Sequence, residues 1–69
     1  MTKIKATQEL LDAYIAEATD KRERKFRMDM RRYYFADIHN RNYTDRVLDF
    51  YNQWKSGKVS AGFCVDSLR

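Results

Sequence analysis

Leu11, Tyr14, Ile15 and Ala18 recur at i, i+3, i+4 and i+7, the spacing of one apolar stripe along a helix. Thr7 stands ahead of the stripe as a cap for free backbone N–H groups. Glu9 falls in the first turn, where a carboxylate suits the positive helix end. The pattern predicts a first helix that starts near Thr7 and closes before Thr19-Asp20. Asp20 predicts a second cap, for a helix running to about His39. One unbroken helix from Thr7 to His39 is the alternative, since neither glycine nor proline interrupts the stretch. Two helices are preferred, because a single rod would leave both apolar stripes without a partner in the chain.

At about 100° per residue the second segment divides into two sides. Phe26, Met30, Tyr33 and Tyr34 gather on one, with Ile38 at its margin. Lys21, Arg24, Lys25, Arg31 and Arg32 gather on the other, with Met28 and Phe35 among them. The expectation is rings inward and cations outward. His39-Asn40-Arg41-Asn42 is a polar connector. A third helix follows, with Thr44 as N-cap, Asp45 in the first turn, and Tyr43 and Leu48 placed as a hydrophobic staple. Val47, Leu48, Tyr51 and Trp54 form its inner stripe, and Gly57 closes it. Ser60 caps a short last helix whose Phe63, Cys64 and Leu68 fold back onto the core. The chain holds no proline and two glycines, Gly57 and Gly62, too few breakers for a turn-rich β fold. The reading is all-α: a compact bundle of three helices plus a short C-terminal fourth, one domain over residues 1–69.

Size narrows this further. Sixty-nine residues make one small core, with a thin margin over conformational entropy. Five Tyr, four Phe and one Trp supply dense apolar material for it. That margin makes self-association, as a homodimer, compatible with the sequence. The single cysteine, Cys64, allows no internal disulfide, and a domain this small without one fits a reducing compartment, the cytoplasm. No apolar h-region follows Met1-Thr2-Lys3-Ile4-Lys5, and no apolar run approaches membrane-spanning length, so neither a signal peptide nor a membrane partner is expected. Asn42-Tyr43-Thr44 matches a glycosylation pattern that means nothing inside a cell.

Charge changes the picture most. Residues 21–32 hold seven bases and two acids, a net +5, whereas the whole chain carries +4. Glu23 can pair with Arg27 and Asp29 with Lys25 or Arg32, but two acids cannot neutralise seven bases. A solvated helix surface is the plain explanation. A surface that seeks phosphate or carboxylate is the functional one. Lys21, Arg24, Lys25, Arg27, Arg31 and Arg32 are then the contacts to nucleic acid or to an acidic protein, with Phe35 stacking on an exposed base. Five neutralised phosphates would give a salt slope of about −4.5 on duplex DNA. The region concerned is residues 21–35.

Aromatic density supports the rival reading. Seven rings fall between Tyr33 and Trp54, more than a small body hides with ease. Tyr34, Phe35 and Trp54 are candidate anchors for a protein partner, for which the chain would act as an inhibitor or adaptor. A helix-turn-helix over Leu48 to Leu68 is weak, since Ala61 to Arg69 offers Asp66 and one terminal Arg to base edges. Catalysis is not expected. His39 and Cys64 are each alone of their type, and there is no phosphate-cradling glycine loop. Neither a metal site, a cofactor nor a small-molecule substrate is expected. Compact, proline-free and aromatic-rich, the chain is similar in style to small accessory proteins of phages and plasmids, although no residue-level motif carries that likeness.

Overall fold

The computed structural model describes residues 3–40 and 44–69, and side chains over 4–38 and 46–69. Four helices follow one another: α1 (Lys3–Ala16), α2 (Lys21–Asn40), α3 (Thr44–Lys55) and α4 (Ala61–Leu68). The described residues contain no strand. The all-α bundle with a short fourth helix is therefore the observed fold.

α1 is the centre of the bundle. It packs against α2, α3 and α4, and α3 and α4 pack against each other. Three neighbours require a broad buried surface. Ala6, Thr7, Leu10, Leu11 and Tyr14 supply it, all buried, spanning about 140° of the helix at 100° per residue. Ile15, expected in the stripe, is only half-buried. Thr7 does not cap α1. The helix begins four residues earlier, because nothing in Lys3-Ile4-Lys5-Ala6 opposes it, and Thr7 is fully buried in the second turn. Ile38, Val47, Tyr51, Cys64, Val65 and Leu68 complete the core from the other helices.

The helix junctions have local causes. α1 ends in a tightened turn, Ala18 N–H donating to Ile15 O at 3.1 Å. Asp20 then caps α2: its Oδ1 accepts from the backbone N–H of Arg22 at 2.6 Å and of Glu23 at 3.0 Å. Two helices thus stand where one rod was the alternative. α3 closes at Gly57, which lies at φ +80°. Gly57 N–H donates to Trp54 O and Lys58 N–H to Gln53 O, both at 3.0 Å, the paired bonds of a Schellman turn. Ser60 caps α4, accepting from Phe63 N–H at 3.1 Å. The start of α3, with Thr44, Asp45 and the Tyr43 staple, lies outside the described side chains, as does His39.

The expected face of α2 needs correction. Tyr34 and Ile38 are buried and Met30 is partly so, but Phe26 is 54% and Tyr33 68% exposed. The line that meets α1 runs through Arg27, Tyr34 and Ile38, rotated away from the Phe26–Tyr33 edge. Arg27 holds the seam in this orientation. Its guanidinium donates to Tyr14 O and to Glu23 Oε1, each at 2.6 Å, and lies 4.2 Å from the centre of the Tyr14 ring. The stem of an arginine packs well along a helix seam, and its head satisfies a carbonyl that the last turn of α1 cannot.

Candidate nucleic-acid interface

The interface candidate is the side of α2 turned away from α1. α2 has 20 residues, about 30 Å of helix at 1.5 Å per residue, in a molecule whose longest extent is 32 Å. It meets the bundle chiefly along α1, so its opposite side faces solvent.

The structure separates the six bases nominated from the sequence into two groups. Arg24, Arg27 and Arg31 reach back to α1. Arg24 Nη2 donates to Ala18 O at 3.4 Å, just beyond the end of α1. Arg27 holds Tyr14 O, and Arg31 Nε donates to Asp12 Oδ1 at 3.0 Å. α1 has no base of its own in its last turn. Arg24 and Arg27 therefore supply cations where the aligned peptide dipoles of α1 leave negative charge. Lys21, Lys25 and Arg32 form the second group. They are exposed, as is Arg22, and the side chain of none of the four makes an ion pair or hydrogen bond among the described residues. Asp29 lies among them, and Asp37 is exposed at the edge beyond Tyr33.

Phe35, nominated as the stacking ring, packs against the core and is half-buried. Of the nominated anchors, Tyr34 is 8% exposed, set edge-on to Tyr14 at 6.0 Å with the Arg69 guanidinium 4.2 Å over its ring. Trp54 is half-buried, edge-on to Tyr51 at 5.7 Å and with Lys55 Nζ 4.8 Å from its ring centre. The exposed apolar side chains of α2 are instead Phe26, Met28 and Tyr33. A shallow open depression is lined by Arg32, Tyr33 and Ala36.

Sequence reasoning missed Phe26 and Tyr33 by placing them inward, and it left Arg22 out. A usable signal was present. Arg27, Arg31, Tyr34 and Ile38 fall at i, i+4, i+7 and i+11, a single line down the helix. Treating arginine as polar, and so as outward, hid that line.

Other ionisable groups sit elsewhere. Tyr51 donates to Glu9 Oε2 at 2.6 Å, and this bond, with burial second, pushes its hydroxyl up to about 12. Burial pushes the Cys64 thiol up to about 11, and Sγ donates to Phe50 O at 3.4 Å. A thiol held protonated is a poor nucleophile and a poor metal ligand. Among the described residues no three His, Cys, Asp or Glu are grouped to hold a metal ion, and no helix is long and apolar enough to cross a membrane. No protein-family model matches this chain, and neither a curated protein nor a solved structure resembles it at a significant level.

Proposed function

We propose that the chain is a non-catalytic, cytoplasmic regulatory binding module that engages nucleic acid through the outer side of α2. One observation carries the reading. Lys21, Arg22, Lys25 and Arg32 stand exposed on that side, their side chains without an internal carboxylate among the described residues, with Asp29 between them and Asp37 at the edge beyond Tyr33. Cations of an ordinary helix surface are usually matched by nearby acids. Here the matched ones, Arg27 and Arg31, are those that serve the bundle. Phosphate contacts made by the remaining four position a polyanion without reading its sequence.

A salt series on random-sequence DNA and RNA tests this. Four cations predict a slope of about −3.6 on duplex and about −2.8 on single strands. Changing Lys21, Lys25 and Arg32 together to Glu should abolish binding while leaving the helical circular dichroism intact. Failure to bind either polymer at low salt would remove the proposal.

Docking on an acidic protein surface is the second reading, favoured by the exposed Phe26, Met28 and Tyr33 beside the same cations. It predicts a protein partner that is lost with the same charge reversals, and no affinity for nucleic acid.

A further inference from the structure

We infer that the ligand of this surface is single-stranded rather than duplex nucleic acid, with Phe26 and Tyr33 as stacking platforms; this rests on the nucleic-acid reading above. The geometry consists of two parallel rows. Lys25 and Arg32 are seven residues apart, as are Phe26 and Tyr33, and seven residues are two turns or about 10.5 Å. The two members of each row therefore lie almost in line along the helix, with the rings displaced about 100° around it from the cations. Lys21 and Arg22 extend the charge toward the start of α2. All six side chains are exposed, and the two rings are 54% and 68% so.

A strand with unpaired bases presents the same two features side by side, a charged backbone and a succession of flat apolar faces. Cations track the first and rings cover the second. In a duplex the base faces are stacked out of reach, and only phosphates and groove edges remain. Phe26 and Tyr33 would then stay in water or lie against sugar and phosphate, a poor use of two large rings. A second copy of the chain is disfavoured by charge: two such surfaces, each with four bases against Asp29 and Asp37, would repel at contact. The convexity of a lone helix also suits a strand that can bend around it.

Fluorescence anisotropy at low salt with a fluorescein-labelled oligo-dT strand, alone and annealed to oligo-dA, decides the matter. The strand should bind more tightly than the duplex. Phe26→Ala and Tyr33→Ala should each weaken strand binding about five- to a hundredfold, the worth of one lost base stack, with duplex binding unchanged. Tyr33→Phe, which keeps the ring, should retain affinity. Asp29→Asn should strengthen binding to both forms, which supports the role of the cation row. Ring variants that bind the strand as the native chain does would overturn the stacking proposal, while loss of binding in Lys25→Glu and Arg32→Glu would leave the broader nucleic-acid reading standing. Poly-glutamate displacing the strand at equal charge would also overturn stacking, since any polyanion would then suffice. Absence of binding to both strand and duplex would remove both readings together.

Discussion

The Glu17 carboxylate straddles the start of α4, with Gly62 N–H donating to Oε1 and its neighbour Ala61 N–H donating to Oε2, each at 2.9 Å. Ser60 Oγ takes the next amide, that of Phe63. Residues at opposite ends of the sequence thereby satisfy the first three free N–H groups of an eight-residue helix. The arrangement also gives Gly62 a role. A Cβ built there would stand 3.2 Å from Glu17 Oε1.

Glu17→Ala should lower stability by about 1–2 kcal/mol, the usual worth of a lost N-terminal cap, or roughly 4–16 °C in the melting temperature of a domain this small. Gly62→Ala adds a methyl that favours the helix, by less than the roughly 1 kcal/mol of an interior position because Gly62 is in the first turn, but crowds the carboxylate. In the native background we expect little or no gain. In the Glu17→Ala background the full gain should appear. A double-mutant cycle by urea unfolding measures the difference, and strict additivity would show that the carboxylate yields freely.

Arg27 should behave as a structural residue. Arg27→Met removes the bond to Tyr14 O, the pair with Glu23 and the stack on the Tyr14 ring together. We expect a loss of about 2 kcal/mol, the range of a charge-assisted hydrogen bond in a partly buried site. Arg27→Lys should recover less than half, since an ammonium cannot hold two acceptors in plane and lie flat on the ring. The check is chemical denaturation. Lys25→Met, on the outer side, should leave the midpoint nearly unchanged.

Alkaline pH should destabilise the fold over a broad range. The Cys64 thiol, ordinarily near 9.0, is pushed up to about 11 by burial, and the Tyr51 hydroxyl, ordinarily near 10.0, to about 12 by its bond to Glu9. Both groups are bound to their protons more tightly when folded. Their contribution is therefore complete below the unfolded values and is lost as pH climbs through 9–11 for the thiol and 10–12 for the phenol. Unfolding midpoints should fall across that range. Tyr51→Phe should flatten the upper part; burial also raises the Tyr14 hydroxyl, so a tyrosinate absorbance titration should show late-ionising rings, of which this variant lacks the one at about 12.

Gly57 closes α3 at φ +80° with open space where a side chain would go. Gly57→Ala should cost about 1 kcal/mol from backbone strain alone. Gly57→Asn should cost less, because asparagine tolerates the left-handed region. Thermal unfolding distinguishes the two, and equal stability of all three forms would contradict the turn geometry.

Local chemistry was legible in the amino-acid order. Asp20, Ser60 and Gly57 each act within a few residues of themselves, and each stands where its side chain or its missing side chain predicts. The four-helix count and the all-α class follow from such local signals and from the scarcity of breakers. Thr7 failed because a capping residue is also a small residue, and α1, pressed on three sides, needed small buried side chains more than it needed a cap at that point. The surface of α2 failed for a related reason. Periodicity sorts residues by polarity, and polarity places a guanidinium outside.

Capping and turn chemistry are properties of the chain alone, so they decided where α2 and α4 begin and where α3 ends, although not where α1 begins. Which side of α2 faces inward was settled only by assembly. Arg27 lies in the seam with its guanidinium on Tyr14 O, and Phe26 and Tyr33 face solvent. The guanidinium in the seam meets a carbonyl that would otherwise lack a partner, a contact between helices that periodicity within one helix does not encode.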